Sequence, residues 1–481
     1  MSKSALNSRR WLPLILLCAA QFMFVLDIAI INIALPSIQK EFDFSQQNLQ
    51  WVINAYTLAF GGFLLLGGRV ADLIGRRRVF IAGLGLFSLA SLIGGFAESG
   101  GILIAARGVQ GLGAAFSSPA VLSILTTTFT EGSERNRALG MWGATGASGA
   151  AAGVVLGGLL TGSLGWEWVL FVNVPIGSIA VLLAPLLIQE SHEPTVTRHF
   201  DFAGAICITT GLVLLVFAIV NAEATGWGSV QTITLFILSF LLIFGFLLIE
   251  RVSRAPLVPL GIFRLRNLTG ANIVSLFHGT GPLCTLFFIS LYLQEVLGFS
   301  ALNSGLAFLP FALTAGVLSC VAPSIVKRFG VKQVLVTGLV FMAAGLFLFA
   351  QISVGGNYLR DVLPASLVVA VGAGISFVPM TIAAVTGVPT KDAGVASGLL
   401  NTTQQVGAAL TLALLVSIAD ARTKEAVAAR GSLPIALTEG FQSAFMLGAT
   451  LLLTGAIVAV LFIRQKRTKS FDDDCVPQRV I

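Results

Sequence analysis

The sequence predicts an all-α polytopic membrane protein with fourteen transmembrane helices, arranged as two six-helix bundles plus two additional central helices. Three observations carry this. The 481 residues are 56% hydrophobic and only 11% charged, with a mean hydropathy of +0.92, too apolar for the surface of a water-soluble domain. Fourteen apolar stretches recur, each near the roughly 20 residues needed to cross a hydrocarbon core about 30 Å thick. The segment Gly75-Arg-Arg77-Arg-Val79-Phe-Ile-Ala-Gly83-Leu84, after the second stretch, returns as Gly330-Val-Lys332-Gln-Val334-Leu-Val-Thr-Gly338-Leu339, as expected of a repeated half.

The first stretch, 11–36, follows a basic start (Lys3, Arg9, Arg10) that resembles a secretion signal. It continues to Pro36 without a small-residue cleavage site, so it is expected to be a retained helix. Spans at 50–70 and 79–97 flank a short basic loop, and spans at 101–127, 137–162 and 167–188 complete an N-terminal bundle over 1–190. Two more polar segments, 189–201 and 251–267, bracket spans at 202–221 and 230–250, which are expected to be a linking pair within 191–255. Spans at 270–294, 302–324, 332–350, 362–385, 395–419 and 442–463 then form a C-terminal bundle over 256–464, followed by a cytoplasmic tail, 465–481. A second internal match, Gly111-Leu-Gly113-Ala-Ala-Phe116 with Gly372-Ala-Gly374-Ile-Ser-Phe377, falls in the fourth helix of each unit. Chance likeness between glycine-rich helices is the competing explanation.

Net charge is +7, but the basic residues stand in small groups between apolar spans rather than on one domain, which argues against a nucleic-acid partner. With the N-terminus inside, Lys40, Arg360, Arg422, Lys424 and Arg430 lie in outer connections, Arg107 lies within a span, and the rest of the 29 Lys and Arg lie inside. Both termini are therefore expected in the cytoplasm. The five cysteines show no C-x-x-C spacing, so neither a disulfide framework nor a metal site is expected. His192 and His199 lie in an inner loop, no nucleophile stands with a histidine and an acid, and no G-x-x-x-x-G-K-[ST] run offers an ATP site. No cofactor is expected, and energy must come from an ion gradient.

Asp27 lies within the first span, where an unpaired carboxylate costs roughly 2.5–3.5 kcal/mol. Set on a cavity, it can exchange a proton for a cationic substrate; the alternative is a carboxylate permanently paired with Arg107 or capped by Asn32. Arg107, Gln110, Gly111 and Ala114 share one helix face, so Arg107 either tunes a neighbouring carboxyl or simply bundles helices. In the first inner loop, Asp72 precedes Arg76, Arg77 and Arg78 by about one turn, after Gly67-Gly68. This is either a latch between the halves or charge placed for topology. Gly149, Gly153 and Gly157 repeat every four residues, with Gly158 beside them, giving a nearly bare face for a gating seam or for static packing. His278 can titrate in its span or serve as a hydrogen-bonded packing residue, and Glu295, near the outer boundary, can recruit cations. Phenylalanine numbers 35 against 3 tyrosines, which suits an adaptable apolar pocket as well as a lipid-facing surface.

In this order the residues resemble the major facilitator superfamily, specifically its fourteen-span drug/proton antiporter family of bacterial multidrug exporters. The likeness rests on Leu26-Asp27 through Asn32 to Leu35-Pro36, Gly68 through Arg77 including Gly75, and Arg107-Gly-Val-Gln110-Gly111-Leu-Gly113. It continues in Asn173-Val-Pro175-Ile-Gly177, Tyr292-Leu-Gln294-Glu-Val-Leu-Gly298 and Gly394-Val-Ala396-Ser397-Gly398-Leu399-Leu-Asn401. The resemblance implies a major facilitator fold, substrate and proton binding at Asp27, proton coupling at Arg107, and gating by Asp72, Arg76 and Arg77. Two positions depart from it: Val154 stands where the family's fifth-span signature has proline after glycine, removing a bend, and Glu167 stands where arginine is common. The implied activity is proton-coupled export of amphipathic or cationic drugs by a monomer in the bacterial cytoplasmic membrane. A dedicated exporter of one natural product or siderophore is one alternative, and a non-transporting receptor or intramembrane enzyme another.

Overall fold

A computed structural model describes residues 3–129, 133–191, 201–253, 256–388 and 393–464. The expected tail, 465–481, and the loop carrying His192 and His199 lie outside the described residues. Among the described residues, fourteen helices are long and apolar enough to cross a membrane. They are α1 (Trp11–Glu41), α2 (Gln46–Ile74), α3 (Arg76–Gly95), α4 (Gly100–Thr128), α5 (Arg137–Ser163), α6 (Trp168–Leu187) and α7 (Phe202–Ala222). The others are α8 (Val230–Val252), α9 (Arg266–Val296), α10 (Ala301–Phe329), α11 (Val331–Phe349), α12 (Tyr358–Val385), α13 (Gly394–Ala429) and α14 (Leu433–Phe462). Successive helices return across the bundle, so the connections fall at a near end, where α1 begins, and a far end, where it finishes.

Hydropathy underestimates several lengths for a physical reason. α13 was expected to stop near 419 but runs on to Ala429, because its polar extension pairs along the helix: Lys424 with Asp420 at 2.8 Å and Arg422 with Glu425 at 3.2 Å. Apolar patterning marks only the part of a helix that needs lipid.

The repeat is visible in the backbone. α2 ends at Gly75 (φ 123°) and α10 at Gly330 (φ 88°), a left-handed position that glycine alone adopts without strain, so both chains turn the same way into the next helix. The third and fourth helices of each unit then cross with glycine on glycine. A methyl built on Gly83 stands 2.7 Å from the Gly113 carbonyl, and one on Gly338 stands 2.8 Å from the Gly372 carbonyl. Ser117 and Ser376 complete these crossings. The geometry thus equates Gly113 with Gly372, two residues away from the sequence match of Gly111 with Gly372.

α5 lies between α1 and α10. Methyls on Gly149, Gly153 and Gly157 would stand 2.8, 2.9 and 2.9 Å from the carbonyls of Phe22, Leu26 and Ile30, a ladder of matched four-residue steps that brings two backbones together. Gly158 faces away from this ladder, toward Ala301 and Leu302 at the start of α10. On the opposite side, Gly61 of α2 meets Gln405 of α13. α7 closes over that α2–α13 seam, burying Leu212, Val216 and Val220 against Leu58, Val406 and Ala409. α8 packs along α7, with Ser239 Oγ donating to the Gly211 carbonyl at 2.7 Å.

Candidate functional site

Two charges set deep in the first and fourth spans meet inside the bundle. Asp27 on α1 and Arg107 on α4 are 0% and 1% exposed, and Arg107 Nη1 donates to Asp27 Oδ2 at 2.7 Å. The second carboxylate oxygen accepts from two neutral amides, Gln110 Nε2 at 3.0 Å and Asn173 Nδ2, from α6, at 2.8 Å. Ser91 Oγ on α3 ties these amides together, 2.5 Å from Gln110 and 3.2 Å from Asn173. The guanidinium also donates to the Val52 carbonyl of α2 at 3.0 Å and to Gln110 Oε1 at 2.8 Å, and lies 4.6 Å from the centre of the Tyr56 ring. Four helices therefore converge on the carboxylate of α1, each supplying a donor or a backing group that lowers the cost of burying it.

Local sequence explains the placement. Gly149 and Gly157 let α1 approach α5 before and after Asp27, and Gly111 lets α4 lie against the Tyr56 backbone of α2, which brings Arg107 within reach of both. The one-turn spacing of Arg107 and Gln110 puts guanidinium and amide on the same face.

Asp27, Arg107 and Gln110 are thus brought together, whereas Asn32 and Glu295 stand elsewhere. Asn32 does not cap Asp27: its amide donates to the Ile28 carbonyl one turn back, at 2.7 Å. Its backbone carbonyl instead accepts from Ser290 Oγ of α9 at 2.8 Å, and the Ile33 backbone carbonyl accepts from Gln294 Nε2 at 3.1 Å. Half-buried Glu295 follows Gln294 on the last turn of α9, beside the contact that joins α1 to α9 at the far end. Gln47 Nε2, at the start of α2, adds a second far-end tie to Asp420 of α13 at 2.8 Å.

The near-end loop is clasped to its own unit. Arg76 pairs with Asp72 at 3.0 Å, and the Arg77 amide donates to Glu190 Oε1 at 3.1 Å beyond the end of α6. Arg77 Nη1 reaches the Ile188 carbonyl at 3.2 Å, and the Arg76 amide donates to the Ser191 carbonyl at 3.0 Å. Gly75 is the turn that permits this; Gly67 is where α2 approaches the Ala115 backbone of α4, whereas a methyl on Gly68 would make only ordinary contact with Pro119 at 3.6 Å. Asn173 and Ser91 were not singled out as site residues from sequence, although Asn173 stood in a quoted motif; uncharged polar residues are common in spans and only packing reveals their target.

The family model described as Major Facilitator Superfamily matches residues 17–412. A puromycin resistance protein of Streptomyces alboniger is 39% identical over 97% of this chain and 94% of its own length. A cephamycin export protein of Amycolatopsis lactamdurans is 38% identical over 85% of each chain. The crystal structure of the nucleoside transporter NupG superposes with a TM-score of 0.67 at 12% identity, covering 95% of this chain and 100% of that one, a likeness of fold.

Proposed function

This chain belongs to the Major Facilitator Superfamily of multi-pass membrane transporters, and on that premise we propose that it exports amphipathic or cationic toxic compounds in exchange for protons. The observation that carries the reading is Asp27, a carboxylate removed from water in the middle of a span and held by one guanidinium and two neutral amides. Such a group can be discharged by a proton, after which Arg107 keeps its Val52 and Gln110 bonds while its ion pair is lost. Because Asp27 is sealed in this conformation, protons reach it only when the surrounding helices part, which links titration to movement.

The moving bodies in this reading are an N-terminal bundle over 1–190 and a C-terminal bundle over 256–464, with 191–255 as a linking pair laid over their α2–α13 seam. The α1–α9 and Gln47–Asp420 contacts close the outer side, both termini lie in the cytoplasm, and the unit is a monomer in a bacterial cytoplasmic membrane. Asp72, Arg76 and Arg77 gate the inner side by exchanging the Glu190 clasp for contacts across the halves. The test is ethidium uptake by inside-out vesicles with and without an imposed proton gradient, for the native chain and Asp27→Asn. Gradient-driven uptake lost in the variant supports the reading; native uptake indifferent to the gradient defeats it.

The names of the puromycin and cephamycin relatives favour a second reading, a dedicated exporter of one natural product. Competition of a compound panel against ethidium separates the two: broad competition supports multidrug export, and a single competitor supports the narrow exporter.

A further inference from the structure

α9 is interrupted at a place its sequence explains. Pro282 lacks the N–H that would close on the His278 carbonyl one turn back, and Gly279 and Gly281 leave the turn weakly restrained. The helix accordingly divides into Arg266–His278 and Thr280–Leu291. The His278 ring, 3% exposed, sits at the break and bridges three helices. Its Nε2 is 2.8 Å from Ser376 Oγ of α12, and the Gln404 amide nitrogen of α13 is 3.3 Å from its Nδ1. Ser376 gives its own proton to the Gly372 carbonyl at 2.7 Å, so the hydroxyl accepts from the ring. Nε2 therefore carries the hydrogen, and Nδ1 is the acceptor for Gln404.

A side-chain amide presents donors on one side and an acceptor on the other, so Gln404 can satisfy either protonation state of the ring. We propose that His278, Gln404 and Ser376 form a second proton-binding site, in which a proton on Nδ1 turns the Gln404 amide over so that its oxygen accepts. The groups facing the ring from the packed helices are the Ser376 hydroxyl and the Phe377 ring of α12 and the Gln404 amide of α13; none of these is ionised, so a proton on Nδ1 depends on the Gln404 oxygen rather than on a counter-charge.

The site is placed to pass the change on. Gln405, beside Gln404, lies 2.9 Å from a methyl built on Gly61 of α2, and Ala408, one turn along α13, lies 3.0 Å from one built on Gly279. Reorientation at Gln404 thus acts where the break in α9 meets the α2–α13 seam. Thr403, on its other side, is already tied to Asn272 of α9 at 2.6 Å, so this part of α13 moves with α9.

The site rests on the export reading only for its consequence, and the test does not use transport. The full chain, labelled with 15N-histidine in nanodiscs, contains three histidines, so His278→Gln identifies the His278 signals. The expected result is the Nε2–H form at alkaline pH, converting to the doubly protonated form as the pH is lowered. Gln404→Leu offers no acceptor and moves the conversion toward acid by about one unit or more, while Gln404→Glu moves it toward alkali. A signal that stays in one form throughout, or a conversion unmoved by both variants, overturns the proposal. Absent gradient-driven efflux alongside a normal His278 titration would defeat the export reading alone.

Discussion

At Asp27 the decisive quantity is what happens to a buried charge when its partner is removed. Arg107→Met leaves the carboxylate with only Gln110 and Asn173 as donors, and breaking a buried pair in this way costs about 3–5 kcal/mol. Asp27→Asn in the same background removes the stranded charge, so the double variant should recover most of the loss, read as thermal unfolding of the purified protein in detergent. Equal destabilisation of single and double variants would mean that the stranded charge is not what destabilises Arg107→Met. The sequence offered the pair only as the alternative to a carboxylate set on a cavity; the structure holds Asp27 paired and 0% exposed. Asn173 and Ser91 were not legible there, since nothing in their local sequence distinguishes them from polar residues that bond their own helix, as Asn32 does with Ile28.

Among the elements, the glycines of α5 divide into groups with different consequences. Gly153 lies where a methyl would press on Ala29 at 2.7 Å, while a methyl on Gly146 would meet its nearest neighbour, Gln21 Nε2, at 3.6 Å. Gly153→Ala should therefore cost about 1–3 kcal/mol by overpacking, and Gly146→Ala should be neutral or slightly stabilising, as scored by thermal unfolding. Gly158→Ala presses instead on the α10 backbone, so it should impair transport through the contact between bundles. If Gly153→Ala and Gly146→Ala unfold alike, the matched ladder between α1 and α5 is not what holds them. Four-residue spacing announced a close approach but not its partner, because the pattern is blind to which neighbour fills each side. The same blindness explains the repeat register: Gly111 and Gly113 are interchangeable as letters, but only Gly113 faces the helix that Gly372 faces in the other unit.

For the whole molecule, the far-end contacts decide which conformation is favoured. Ser290 and Gln294 each give one hydrogen bond to an α1 carbonyl, and a net hydrogen bond contributes about 1 kcal/mol. Removing both with Ser290→Ala and Gln294→Ala should shift the balance toward a form open at the far end by about 2 kcal/mol, roughly a thirtyfold change in population ratio. Spin labels replacing exposed Glu41, at the end of α1, and Gly355, between α11 and α12, in a background without native cysteines, read this as a longer component in the distance distribution. The shift should persist without substrate, since it comes from lost closure rather than altered binding. An unchanged distribution would mean that the Gln47–Asp420 tie and the apolar packing around it keep the far end shut on their own. Span count and the repeated half were written in hydropathy and in two glycine turns, which are local properties. The closure joins residues more than 250 positions apart through backbone carbonyls that no side-chain pattern records, so it emerges only once α1 and α9 are packed.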